Sequence, residues 1–109
     1  MNTKQYIIHQ FSQLFTKEQL DRLKISGNKH LKVTVDIHGL HKNAAKVFLN
    51  NLINCSRIAF TLIVIHGYNL GTVLKDMLTN EFNNPHVTEQ HLLRDNPGAT
   101  SMTISAYGI

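Results

Sequence analysis

The chain is poor in the residues that staple or punctuate small folds. Among its 109 residues there is one cysteine, there are two prolines, and tryptophan is absent. A single cysteine excludes an internal disulfide and a closed zinc site of four thiolates. It also makes a reducing cytoplasm the expected compartment. No apolar run approaches the roughly 20 residues that span a bilayer, so no membrane partner is expected. The opening stretch MNTKQYIIHQFSQLF has polar residues threaded through it and lacks the continuous apolar segment of a signal peptide. Charge is modest: 11 Lys and Arg against 7 Asp and Glu leave a formal +4. That is a mild bias towards anionic partners, without the basic run of a dedicated DNA-binding arm. Histidine is what the chain has in excess, 7 residues, as many as all the acids together. The length suits one domain, and an apolar content of 42% suits a folded one.

Periodicity supplies the order of elements. Residues 1–24 read as helical, with Ile7, Phe11, Leu14 and Phe15 at helical spacing. Thr16 followed by Gln19 is a capping box that opens a second helical piece through Leu20, Leu23 and Lys24. Ser26, Gly27 and Asn28 mark 25–30 as a break, which divides the chain into an N-terminal helical extension, 1–30, and a domain, 31–109. The extension is expected to complete the core of the domain; the other reading is a docking helix for a partner.

Leu31, Val33, Val35 and Ile37 alternate with Lys32, Thr34, Asp36 and His38, a strand ended by Gly39. Residues 43–56 carry an apolar stripe of Ala44, Ala45, Phe48, Leu49, Leu52 and Ile53. The run AFTLIVI at 59–65 is a strand buried on both faces. Residues 70–82 form a second amphipathic helix, with Leu70, Val73, Leu74, Met77, Leu78 and Phe82 on one side, stopped by Asn83-Asn84-Pro85. A weaker strand at 87–93 and a last, alternating strand at 100–107 flank the turn Asp95-Asn96-Pro97-Gly98. The expected fold is a two-layer α/β sandwich, β-α-β-α-β-β, with a four-stranded mixed sheet behind the helical segment. Its first two strands are parallel through a right-handed crossover, and its last two are antiparallel neighbours.

Two strand ends look alike: Asp36-Ile37-His38-Gly39 and Ile65-His66-Gly67. Parallel neighbours put both C-terminal ends at one sheet edge, where open α/β folds bind ligands. Asp36 and His38 share a face by alternation. A carboxylate that orients an imidazole suits general acid/base work, and His66 is the candidate second imidazole. Two imidazoles, one accepting and one donating a proton, suit phosphodiester cleavage. With an RNA 2′-hydroxyl as nucleophile, no metal is obligatory. Gly67-Tyr68-Asn69-Leu70-Gly71 leads into a helix, where backbone N–H groups can approach an anion. Its lack of a GK[ST] ending excludes a nucleotide-binding P-loop. Lys42, Lys46, Lys75 and Arg94 form a candidate phosphate-attracting rim. His41 opens a helix rather than completing a metal site with Asp36 and His38, and no cofactor is expected. Cys55 reads as a packing residue. His9, His30, His86 and His91 read as surface residues.

These residues resemble the Smr (small MutS-related) domain. Val-Asp-Ile-His-Gly-Leu at 35–40 is similar to the family's LDLHGL segment. Ile-His-Gly at 65–67 with Gly71 is similar to IHGxGxG, and Gly98-Ala99-Thr100 to GxGAT. The three occur in the family's order, and the similarity covers about 31–107, leaving 1–30 outside. The resemblance implies a fold like the C-terminal domain of translation initiation factor three. It also implies nucleic-acid binding, with endonuclease activity on DNA or on messenger RNA at ribosomes in many members. By that resemblance Asp36 and His38 fall on the cleavage motif and His66, Gly67 and Gly71 on the glycine-loop motif; Gly39, Gly67, Tyr68, Asn69 and Gly71 are the candidate phosphate-binding residues. Two positions depart from the pattern. Asn69 replaces the middle glycine, although Asn tolerates left-handed angles. Tyr68 stands where a basic residue is frequent, exchanging a phosphate contact for a stacking surface. The expected function is therefore an RNA or DNA endonuclease whose need for a divalent metal is open. The alternative is a non-catalytic module that docks nucleic acid or the ribosome at the same edge.

Overall fold

Alternation and amphipathic stripes translate directly into the architecture. The structure, a computed structural model, describes residues 2–27, 29–55, 57–67 and 72–106. Its elements are α1 (Thr3–Leu14), α2 (Lys17–Leu20), β1 (Leu23–Ser26), β2 (Lys32–Asp36), α3 (Lys42–Cys55), β3 (Phe60–Ile65), α4 (Val73–Asn80), β4 (Val87–Leu92) and β5 (Ala99–Ile104). The strands form one mixed sheet in the order β1-β2-β3-β5-β4. β2 and β3 are parallel, with Asp36 beside Ile65 in the register. The other three pairings are antiparallel. The parallel first pair and antiparallel last pair are as the connection lengths predict.

The sheet has five strands among the described residues, one more than expected. Residues 23–26 are an edge strand paired with β2, from Leu23 beside Val35 to Ser26 beside Lys32. The stretch read as the end of a helix and a linker is thus partly sheet. The Thr16–Gln19 capping box is present on both sides, but it opens a single turn. The Arg22 amide bonds back to the Gln19 carbonyl at 3.1 Å, and the chain then extends. Leu20 and Leu23 fit a helical spacing, and Leu23 and Ile25 fit a strand equally well. The unpaired edge of β2 decides between them, because extended backbone there gains ladder hydrogen bonds.

The core lies between one sheet face and the helices. Val33, Val35 and Ile37 of the β2 segment, Leu62 and Val64 of β3, and Met102 of β5 are completely buried against Leu49 and Leu52 of α3 and Met77 of α4. Ile7, Phe11 and Phe15 from the N-terminal segment join the same cluster. Phe15 meets Phe11 and Phe48 edge-on, with ring centroids 5.6 and 5.3 Å apart. Burying each such ring stabilises the fold by about 1.5–3 kcal/mol, so α1 contributes to the common core. Two expected apolar contacts are turned outward instead: Leu14 is 48% exposed and Val73 is 63% exposed. Both stand at a helix end, where the apolar stripe runs off the sheet.

Candidate functional site

The site is built where β2 stops. The Asp36 carboxylate Oδ1 accepts the His38 backbone N–H at 3.0 Å and is also in short contact with the ring nitrogen Nδ1 of His38. A carboxylate only accepts, so Nδ1 carries the hydrogen, and a neutral ring keeps its lone pair on Nε2. The His38 side chain is 65% exposed and Asp36 is half-buried. An oriented imidazole with its basic nitrogen open to solvent can take a proton from a bound hydroxyl. Gly39 follows at φ +81°, a left-handed turn that favours glycine. It swings the chain towards α3, which starts on the His41 carbonyl. His41 therefore opens the helix as expected. Among the described residues, no three His, Cys, Asp or Glu side chains converge as metal ligands.

The three sequence motifs meet here. Gly67, at φ +78°, approaches the first motif so closely that a Cβ on it would lie 3.6 Å from the His38 Cβ. The Gly98 carbonyl accepts the backbone N–H groups of His66 at 2.8 Å and Gly67 at 3.0 Å. Asn96 closes the preceding turn by accepting the Gly98 N–H at 3.0 Å. Ala99 and Thr100 open β5 beside Ile65 and Val64. Tyr68, Asn69 and Gly71 lie outside the described residues.

His66 does not share the exposed side of the pair. Asp36 registers with Ile65, and alternate residues face opposite sides, so His66 turns to the helical face. It is 5% exposed. Its Nδ1 lies 2.9 Å from the Gly67 carbonyl and its Nε2 lies 3.0 Å from the Thr100 hydroxyl. The carbonyl only accepts, so Nδ1 donates and Nε2 accepts from Thr100. Both ring nitrogens are thereby occupied by protein. The expectation of a cleft shared by two imidazoles gives way to one exposed imidazole and one that ties β3 to β5. A pattern of two His-Gly strand ends could not reveal this, because parity within each strand separates them.

The cationic rim is also rearranged. The ammonium groups of Lys42 and Lys46 each lie 3.2 Å from the Glu81 carboxylate, linking α3 to the end of α4. Lys46 first and then Lys42, as hydrogen-bond donors, hold the Glu81 carboxyl below its ordinary value. Lys75 is half-buried on α4, and Arg94 is exposed in the β4–β5 turn. Cys55 packs as expected: burial pushes its thiol up to about 11, far from a reactive thiolate.

Sequence reasoning passed over three participants. Glu81 is 39 residues from Lys42, and no local pattern links them. Asn84 is buried and donates to the Asn50 and Asn54 side chains of α3 at 2.8 and 3.1 Å, a role hidden inside a turn signal. The third is Arg22, whose Nη1 donates to the Asp36 carbonyl at 2.9 Å and to the His38 carbonyl at 3.1 Å. With Glu18, Asp21, Asp36, His38, Leu40 and Phe48 it lines an open concavity of about 550 Å³ beside the pair. Alternation of Arg22 with Leu23 and Lys24 is a faint strand signal that could have brought it forward.

No family model matches the chain, and no curated protein matches it.

Proposed function

We propose that the protein is a cytoplasmic, Smr-like nucleic-acid-binding endonuclease in which Asp36 and His38 perform the proton transfer. One observation carries this reading: an exposed imidazole held through Nδ1 by a half-buried carboxylate, at the strand-end edge where the three motif segments meet. In RNA, Nε2 of His38 removes the 2′-hydroxyl proton, the alkoxide attacks phosphorus, and the 5′-oxygen leaves. Asp36 stabilises the imidazolium formed in the first step. With both His66 nitrogens occupied, the same His38 ring is the proton donor to the departing oxygen. The N–H groups of 67–71 are the proposed phosphate cradle by resemblance to the family. Lys75 and Arg94 supply attraction.

The alternative is a binding module without cleavage, favoured by the departures at Tyr68 and Asn69 from the glycine-rich motif. One experiment separates the two readings. Purified protein is incubated with labelled single-stranded RNA and with nicked or supercoiled DNA, with and without EDTA, beside the Asp36→Ala/His38→Ala double variant. Cleavage abolished in the double variant supports the nuclease. No cleavage, or equal cleavage by both proteins, removes that reading, and salt-dependent binding that persists then supports the module.

A further inference from the structure

The strand end that carries the pair has a gap in its ladder. At the β1–β2 edge, the Asp36 amide donates to the Arg22 carbonyl at 2.9 Å. A regular antiparallel pair would return the bond, with the Arg22 amide donating to the Asp36 carbonyl. That amide is already given to the Gln19 carbonyl at 3.1 Å, closing the turn after α2. The guanidinium of the same residue takes its place: Nη1 reaches the Asp36 carbonyl at 2.9 Å and, two residues further on, the His38 carbonyl at 3.1 Å. A single cationic donor thus grips the main chain of the two residues whose side chains form the proton-transfer pair.

The geometry points to Arg22 as a positioning residue for the Asp36–His38 pair, supplied by the segment that lies outside the motif-bearing domain. The physical grounds are threefold. First, Asp36 and His38 hold each other by two bonds to Oδ1, and both depend on the backbone angle between residues 36 and 38. Clamping both carbonyls fixes that angle on the side facing β1. Second, among the described residues no ladder bond continues beyond Arg22 on that side. Without the guanidinium, the segment between Asp36 and the left-handed Gly39 is anchored on its other side by the Ile37 amide on the Ile65 carbonyl at 2.9 Å. Third, a guanidinium is a cationic group with fixed donors, so its bonds to carbonyls are stronger than neutral ones. Lysine can follow one carbonyl but cannot reproduce the planar donor geometry. Arg22 touches the main chain and not the reacting atoms, so it acts through the pair.

The inference deepens the nuclease reading and rests on it for its catalytic part, while its structural part is testable without any substrate. The full-length protein is compared with Arg22→Met and Arg22→Lys. Long-range proton–nitrogen correlation spectra of His38 report which ring nitrogen carries the hydrogen. The wild type is expected to show the Nδ1–H form. Arg22→Met is expected to show a mixture of tautomers, and Arg22→Lys an intermediate state. On a cleavable RNA or DNA, Arg22→Met is expected to lose about a hundredfold in kcat with KM nearly unchanged, as for a misplacement of the reacting group on the order of an ångström. Arg22→Lys should recover part of that loss. A wild-type tautomer signature together with wild-type kcat in Arg22→Met would overturn the assignment. If Arg22→Met does not fold, Arg22→Lys decides: partial loss of the Nδ1–H signature supports the clamp, and an unchanged signature overturns it. If the wild type cleaves nothing, the nuclease reading fails, and the tautomer comparison by itself supports or overturns the Arg22 clamp.

Discussion

The imidazole Nε2 of His66 accepts the Thr100 hydroxyl at 3.0 Å, and this bond makes a conspicuous histidine a fastener between two strands. Removing the ring leaves a buried hydroxyl and the Gly67 carbonyl without their partner. His66→Ala is expected to lose about 1–3 kcal/mol of stability for the unsatisfied groups. His38→Ala, at an exposed position, should stay within about 0.5 kcal/mol of wild type while abolishing any cleavage. Denaturant unfolding beside a cleavage assay separates the two roles. Wild-type stability of His66→Ala would refute the fastener.

Glu81 sets a pH-dependent cross-link. Its carboxyl is held below the ordinary 4.5 by Lys46 and then Lys42. A depressed carboxylate contributes stability that is present above the unfolded value and is lost as pH falls through the lower folded one. The melting-temperature difference between wild type and Glu81→Gln should therefore be present at neutral pH, shrink on acidification below about 4.5, and shrink in high salt. The same substitution releases two ammonium groups. Nucleic-acid affinity at low salt should rise, with a steeper dependence on salt concentration. Unchanged binding would place both lysines away from the phosphates.

Gly39 and Gly67 adopt φ of +81° and +78°. Substitution by alanine should cost about 1–2 kcal/mol at either position from backbone strain alone. Nothing lies within 4 Å of a Cβ at Gly39, so strain is the whole effect there. Gly39→Asn should accordingly cost less than Gly39→Ala, because Asn tolerates the left-handed region. Thermal unfolding of the pair of variants checks the order, and equal losses would contradict it.

Phe11 is 1% exposed and packs on Phe15 in the common core. Phe11→Ala should lose about 3–5 kcal/mol, whereas Leu14→Ala, outward on the same helix, should change stability by about 0.5 kcal/mol or less. A detachable docking helix would instead leave the stability of Phe11→Ala unchanged.

The elements legible in the sequence were those whose pattern has one solution. The alternation 31–38 and the stripe through Phe48, Leu49 and Leu52 each admit a single element type, and the run 59–65 is short and rich in β-branched residues, which selects a strand. The order of the parallel and antiparallel pairs then follows from connection length. β1 was not legible, because Leu23 fits a helical spacing with Leu20 and a strand spacing with Ile25, and only the open edge of β2 breaks the tie. In the site, the Asp36–His38 pair was legible because the residues are two apart at the strand end, so the carboxylate reaches the backbone N–H and ring of His38 locally.

The sequence by itself determined the α/β class, the one-cysteine chemistry, the strand ends and the local pair, since all of these depend on neighbours within a few residues. Tertiary structure alone decided that His66 faces inward to Thr100, that Lys42 and Lys46 are held by Glu81, and that Arg22 completes the ladder beside Asp36. The physical reason is common to the three. Each is a contact between segments far apart in the chain, settled by which face a strand buries and which partner fills an unmet hydrogen bond. At the two strand ends, burial therefore divides the conspicuous histidines into one exposed candidate base and one internal fastener.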